Sequence, residues 1–273
     1  MPTEDNFDKA ALSDMQDAAC EAAKAAGAIA LSGFRGVLEI RSKGGTDIVT
    51  QYDNAAERAA LDILKGRYPT HAFLAEESGK SGEQAHENPM WMVDPIDGTH
   101  NYANQLPFWC VSVAVASPAG EILACAVYDP LHDELFTAAR GGGATLNGKP
   151  IQCTAKSRIE QAIVAYDIGH DPLISAHMVD LIAWVQPRVG KVRHLGSAAL
   201  SLTYVAAGRI DAYYHLSLQP WDIAAALLLI QEAGGTVTDW HGAMRLSGKG
   251  SAVASGKALH PALLSLLHEG GKT

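Results

Sequence analysis

The sequence predicts an α+β protein with an antiparallel-sheet N-terminal half and a mixed α/β C-terminal half. Two changes of pattern carry this expectation. Between residues 109 and 138 three strand-like runs follow one another across short turns, whereas from about Ile151 strands alternate with helices. A third observation is the run Ala224-Ala225-Ala226-Leu227-Leu228-Leu229-Ile230, a helix pattern so uniformly apolar that it must be buried all round.

Taken in order, the first helix is expected over 13–34, where Met15, Ala19, Ala22, Ala26, Ile29 and Ala30 recur near helical spacing. A Gly44-Gly45 loop leads to the β-branched run Ile48-Val49-Thr50. A second helix follows over 54–65, with Asp53 at its N-cap and Gly66 and Pro69 closing it. Strands at 71–75 and 90–93 end on Glu76-Glu77 and on Asp94, so both deliver carboxylates at their C-terminal ends. The meander comprises 109–116, 122–128 and 134–138, with turns at Pro118-Ala119-Gly120 and Asp129-Pro130.

The second half reads as a strand at 162–166, a helix at 174–185, a strand around Val192 and a helix at 197–207 ended by Gly208. A strand at 210–214 then precedes Asp222, and the apolar helix 223–233 stops at Gly234-Gly235. No internal repeat or long linker interrupts the chain. Residues 1–150 and 151–273 are therefore expected to form two halves sharing one interface.

Composition excludes several function classes. With 273 residues, 48% of them apolar, the chain buries roughly three quarters of its unfolded surface and requires no disulfide or metal staple. A formal net charge of −9 repels nucleic-acid phosphate and anionic lipid, so neither partner is expected. Cys20, Cys110, Cys125 and Cys153 lie far apart, without zinc spacing, and read as buried thiols in a reducing compartment. Residues 1–8 have no signal-peptide pattern, and no run approaches the ~18 apolar residues of a membrane span. A cytoplasmic protein is the expectation.

The chemistry concentrates in Trp91-Met92-Val93-Asp94-Pro95-Ile96-Asp97-Gly98-Thr99. Two carboxylates three residues apart at a strand end, with a proline fixing φ between them, converge on one point instead of alternating across a sheet. Gly98-Thr99 allows a turn into a short helix whose N–H groups face an anion such as phosphate. All-oxygen donors beside a phosphate suit magnesium better than zinc. The plainer reading of this segment is an Asx-turn with a β-turn. Gly141-Gly142-Gly143 is not a nucleotide loop, since G-x-G-x-x-G is absent and no helix pattern follows; a hairpin turn is expected.

These residues resemble the inositol monophosphatase signatures: Glu76-Glu77-Ser78, Asp94-Pro95-Ile96-Asp97-Gly98-Thr99, and Trp221-Asp222-Ile223-Ala224-Ala225 with Glu232-Ala233-Gly234-Gly235, in the family's order and spacing. Asp47-Ile48-Val49-Thr50, Gly196-Ser197-Ala198-Ala199 and Asp211-Ala212-Tyr213-Tyr214 extend the similarity over nearly the whole chain. The resemblance implies an αβαβα layered sandwich with the active site between its halves. It also implies two to three Mg2+ ions, lithium sensitivity and a homodimer.

Carried over residue by residue, the resemblance gives Glu76, Asp94 and the Ile96 carbonyl to one magnesium, and Asp94, Asp97 and Asp222 to a second. Glu76 touches a third ion whose water, polarised with help from Thr99 and Asp53, becomes the nucleophile. Gly98 and Thr99 hold the phosphate. Asp97, Gly196, Ser197, Ala198, His215 and Asp222 surround the rest of a small phosphorylated metabolite. Each residue also has a plainer role: Asp53 and Asp222 as helix N-caps, Glu76 as solvated surface, Lys43, which the resemblance sets near the metals, as an exposed loop lysine, His215 as a histidine at a strand end.

A D-x-D-x-T phosphatase with an aspartyl nucleophile is ruled out, because the spacing here is D-x-x-D-G-T. Within the resembled family the substrate stays open between inositol 1-phosphate or a related sugar or polyol phosphate, 3′-phosphoadenosine phosphate, fructose-1,6-bisphosphate and histidinol phosphate. Some bacterial relatives act as binding factors for transcription machinery. Where inositol-specific relatives carry a glutamate, this chain has His215, which implies weaker hold on inositol or a preference for a second anionic group.

Overall fold

A computed structural model describes residues 7–82, 88–169, 171–243 and 249–271; of the N-terminal stretch read above for targeting, residues 1–6 lie outside them. The chain runs α1 (Lys9–Gly33), β1 (Ile40–Gly44), β2 (Asp47–Thr50), α2 (Gln51–Arg67), β3 (Ala72–Ala75), β4 (Gly79–Gly82) and β5 (Met90–Asp97). It continues with α3 (Thr99–Ala103), β6 (Cys110–Ala116), β7 (Ile122–Asp129), β8 (Glu134–Ala139), β9 (Ala144–Leu146) and β10 (Lys149–Pro150). The remainder is β11 (Ile163–Tyr166), α4 (Pro172–Val185), β12 (Lys191–His194), α5 (Ala198–Ala206), β13 (Ala212–Leu218), α6 (Pro220–Glu232), β14 (Gly235–Thr238), β15 (Gly250–Gly256) and α7 (His260–Gly270).

Five layers result. The eight-stranded sheet has the order β10-β9-β8-β7-β6-β5-β3-β4 and is antiparallel except where β3 lies parallel to β5. The five-stranded sheet, ordered β12-β11-β13-β15-β14, is mixed: β11 pairs parallel with β12 and β13, and β15 pairs antiparallel with β13 and β14. Strand periodicity divides the apolar residues between faces. Trp91, Val93, Val111 and Val113 pack outward against the alanine-rich face of α1 and against α2, while Met92, Cys110 and Ala114 pack inward against α5 and α6. Tyr213 joins the same central core from the second sheet, and its neighbour Tyr214 faces the opposite way, onto α4 and α7.

The αβαβα sandwich thus follows from two sheets that each need both faces covered. Helix α6 sits in the middle layer, with every residue from Ala224 to Ile230 no more than 5% exposed, as its apolar run demands. No helix among the described residues is long and apolar enough to cross a membrane. Of the cysteines, Cys110 and Cys125 are buried and Cys20 and Cys153 half-buried, all as free thiols.

Gly141-Gly142-Gly143 forms the turn between the paired strands β8 and β9, and its amides have an internal anion. Gly141 N–H donates to Glu232 Oε1 at 2.7 Å and Gly143 N–H to Oε2 at 2.8 Å, tying the end of α6 to the far edge of the large sheet. Glu232→Ala strands both amides, so we expect a loss of about 1 kcal/mol, read as a lower urea midpoint at unchanged slope. An unchanged midpoint would show that water replaces the carboxylate at no cost.

Candidate active site

The site grows from an irregularity in β5. Asp94 pairs with Ser112 and Asp97 with Cys110, so three steps along β5 match two along β6: a β-bulge at Pro95-Ile96. The extra residue brings both carboxylates to one side. Asp94 Oδ1 also accepts from Ile96 N–H at 3.1 Å, so the Asx-turn expected as the plainer reading is present and coexists with convergence. Parallel pairing sets Ala75 opposite Val93, which leaves the next residues, Glu76 and Asp94, side by side at the sheet's edge.

Asp222 arrives from the middle layer. Instead of the N-cap it occupies the third position of α6, in a capping box in which its Oδ2 accepts from the Gln219 N–H at 2.8 Å. Asp53 is corrected in the same way: Thr50 is the N-cap of α2, and Asp53 at the third position accepts from Thr50 N–H at 2.8 Å and Thr50 Oγ1 at 2.5 Å. Because α2 starts three residues earlier than its apolar pattern suggests, Asp53 is inside the helix and wholly buried. Its Oδ1 meets Thr99 Oγ1 at 3.1 Å, and Thr99 Oγ1 also lies 3.0 Å from the Ile96 carbonyl.

Oxygens of Asp94, Asp97 and Asp222 lie within 4.8 Å of one another, and no His or Cys joins this group among the described residues. Burial pushes Asp94 well above the usual carboxylate range, and the charges of Glu76, Asp97 and Asp222 add to it. Burial likewise raises Asp222, raises Asp97 to about 6 against the opposing Ser197 hydroxyl and helix amides, and raises Glu76 to about 7 against Lys43. Three carboxylates held this close, Asp94 and Asp97 buried and Asp222 half-buried, are costly unless protonated or bridged by a cation. Their hard, all-oxygen donor set fits magnesium.

Lys43 is an exposed residue, as the plainer reading has it, but it stands on a strand and not in a loop. It lies on β1 with 22% of its side chain exposed, and its ammonium sits 2.8 Å from Glu76 Oε1 and 2.7 Å from Glu77 Oε1. Glu76 accordingly is not solvated surface.

Gly98 has φ +95, and a Cβ there would come within 3.0 Å of the Gly196 carbonyl and 3.1 Å of Ser197 Cβ, so only glycine lets the Gly196–Ala198 segment close over this turn. The helix expected after Gly98, α3, is only five residues long. Ser197 caps α5, and its hydroxyl donates to Asp97 Oδ2; Ala199 N–H reaches the same oxygen at 2.9 Å and Ala198 N–H reaches Oδ1 at 3.3 Å. Asp97 is thereby the tie between the β5 bulge and the start of α5. His215, 3% exposed on β13, lines the same cleft, of about 670 Å³, as Gly98, Thr99, Gly196 and Ala198. Its Nδ1 accepts from Ser217 N–H at 2.9 Å, which in the neutral ring leaves the proton on Nε2. The acceptor expected from sequence is used internally.

Sequence reasoning missed Glu57 and Asp167. Glu57, 4% exposed, accepts from Glu77 N–H at 2.7 Å and Ser78 N–H at 2.9 Å, fixing the loop that carries Glu76. Its position one helical turn after Asp53, on the buried face of α2, was a usable signal. Asp167 follows the end of β11, the same placement that singled out Glu76 and Asp94. Burial pushes it up to about 7, opposed by the Gly196 amide.

Comparison with known proteins shows the family and the same fold. The family model described as the inositol monophosphatase family matches residues 11–272. The Nus factor SuhB of Escherichia coli is 35% identical over 258 residues, covering 93% of this chain and 96% of its own. A solved inositol monophosphatase from Anabaena superposes with a TM-score of 0.83 at 35% identity, over 94% of this chain and 96% of that one. An IMPase/NADP phosphatase solved with Mg2+ and phosphate gives a TM-score of 0.81 at 26% identity, over 93% and 95%. A carboxylate-walled cleft in a five-layered sandwich of this kind defines a phosphomonoesterase. The chain belongs to the inositol monophosphatase family.

Proposed function

We propose that the protein hydrolyses a small phosphomonoester, inositol 1-phosphate or a related sugar or polyol phosphate, in a magnesium-dependent reaction. The observation that carries this reading is the convergence of Asp94, Asp97 and Asp222 within 4.8 Å, beside Glu76 and the Asp53–Thr99 pair. Two to three Mg2+ ions would be held by Glu76, Asp94, the Ile96 carbonyl, Asp97 and Asp222. Bound there, magnesium supplies Lewis-acid polarisation of phosphate oxygens and lowers the pKa of water. The phosphatase that superposes on this chain with Mg2+ and phosphate supports the same choice of ion.

The chain's own groups account for positioning. Thr99 Oγ1, donating toward Asp53, keeps lone pairs that accept from a water and aim it at phosphorus; Asp53, buried and raised in pKa, receives the proton through Thr99. The amides of Gly98 and Thr99 hold the phosphate as the water oxygen bonds to phosphorus and the ester P–O bond breaks, its electron pair leaving on the alcohol oxygen, which takes a proton from solvent. In this reading residues 1–150 bring most of the carboxylates and 151–273 bring Asp222 and the groups facing the alcohol. A phosphate-release screen over inositol, glycerol, adenosine, fructose and histidinol phosphates, with and without magnesium, tests it. Release independent of magnesium would overturn it.

The reading extends to a cytoplasmic homodimer, checked by light scattering in solution. A second reading rests on the name of the E. coli relative: binding to transcription machinery. A pull-down from lysate with and without magnesium separates it from catalysis.

His215 bears on substrate choice. With Nδ1 engaged by Ser217, the imidazole offers a substrate no acceptor there. His215→Glu is expected to raise kcat/KM for inositol 1-phosphate relative to glycerol 2-phosphate by about tenfold, the worth of one new acceptor. A ratio that moves less than about twofold removes His215 from substrate selection.

A further inference from the structure

Asp167 stands at the cleft's other wall, and nothing in the metal chemistry uses it. Its side chain is 11% exposed. Oδ1 accepts from Gly196 N–H at 2.7 Å and lies 3.3 Å from His194 Nε2; Oδ2 accepts from Tyr213 O–H at 3.1 Å. His194 is held in turn by stacking on Tyr166, with centroids 5.4 Å apart and planes 3° from parallel.

The segment Gly196-Ser197-Ala198 is gripped at both ends: the Gly196 amide binds Asp167 and the Ala198 amide binds Asp97. Asp167 therefore flanks the place where the alcohol portion of an ester must lie, on the opposite side of that segment from the carboxylate cluster. Loop 167–169 is fixed from the other direction by His215, since Gly169 (φ +78) approaches so closely that a Cβ there would sit 3.2 Å from the ring.

With its pKa raised to about 7, Asp167 is ionised above that pH, and an ionised carboxylate has about four lone-pair directions. Three are met by the Gly196 and Leu195 amides and by Tyr213, with His194 Nε2 beside Oδ1 as a close neighbour only, which leaves one acceptor site, and Asp167 lines the cleft. We infer that Asp167 is a specificity-determining residue that accepts a hydrogen bond from a hydroxyl or ammonium group on the leaving alcohol, and that esters carrying a second anionic group are disfavoured. This rests on the phosphomonoesterase reading and refines its substrate class. An ester with no donor desolvates that lone pair and returns nothing, while a second phosphate meets a buried negative charge.

The test is steady-state hydrolysis by the magnesium-loaded wild type and by Asp167→Asn of four esters: glycerol 2-phosphate, O-phosphoethanolamine, ethyl phosphate and fructose-1,6-bisphosphate. Wild type is expected to favour the first two over ethyl phosphate by about tenfold in kcat/KM, the worth of one hydrogen bond. Asp167→Asn should collapse that preference, through KM more than kcat, and should improve the bisphosphate relative to glycerol 2-phosphate. A larger loss for O-phosphoethanolamine than for glycerol 2-phosphate identifies charge recognition of ammonium; equal losses identify hydroxyl recognition. A wild type without preference for donor-bearing esters, or a variant that retains it, overturns the inference. The wild-type comparison decides even if the variant does not fold. Release from none of the four by wild type would instead overturn the hydrolase reading beneath it.

Discussion

Asp94→Asn should lower kcat by on the order of a thousandfold or more while the protein stays folded. Asp94 is the residue shared by both halves of the carboxylate cluster: it sits beside Glu76 at the sheet edge and within reach of Asp97 and Asp222. Asparagine keeps the oxygen that accepts from Ile96 N–H at 3.1 Å, so the bulge geometry survives. What is lost is one negative charge from a site that burial and three neighbouring carboxylates already force upward in pKa, so the metal-free variant should melt no lower than metal-free wild type. Thr99→Ala should cost less, because Asp53 keeps its two bonds from Thr50. Phosphate release and near-ultraviolet circular dichroism on the two variants give both answers. A kcat within tenfold of wild type, or loss of tertiary signal, would falsify the bridging role.

Local periodicity made both halves of the fold legible. The meander strands β6 and β7 are short apolar runs bounded by turn residues and buried on both faces, and the apolar run of α6 leaves no choice but burial. Among the elements without a sequence expectation, β14 (Gly235–Thr238) is only four residues long and β15 (Gly250–Gly256) is rich in glycine, serine and alanine, so the two hold together through pairing rather than propensity. Strand β5 was read as ending at Asp94 because Pro95 breaks the period; the bulge carries the strand on to Asp97.

In the site, the clustered carboxylates were visible because their motifs are short and strand-terminal. Lys43 is legible only through the family resemblance, since its partners lie 33 and 34 residues away along the chain. Asp53 and Asp222 each stand three positions, nearly a full turn, further into their helices than the N-cap expected for them, though Thr50-Gln51-Tyr52-Asp53 is itself a capping-box pattern. The Asp97–Ser197 bond spans 100 residues and has no sequence signature at all.

Magnesium should stabilise the fold, and the increment should grow as pH rises. At about 4 Å and an effective dielectric near 20, each like-charged carboxylate pair costs on the order of 4 kcal/mol if both are ionised. The metal-free protein avoids this by holding protons. Burial and neighbouring charge raise Glu76 from 4.5 to about 7 and burial raises Asp97 from 3.8 to about 6. Both folded values exceed the unfolded ones, so the native state binds more protons than the unfolded chain in that window. The stability these groups contribute is complete below about pH 4 and is lost as pH rises through about 6 to 7. Magnesium requires the same oxygens deprotonated, so its affinity rises over the same interval. At a free concentration one hundred times its dissociation constant the ion adds about 2.7 kcal/mol. Calorimetric melts at pH 5 and pH 8, each in EDTA and then in magnesium, should show a small gap at the lower pH and a wide one at the higher. Curves that superimpose at pH 8, or a gap wider at pH 5, would mean that these carboxylates are not where the metal binds.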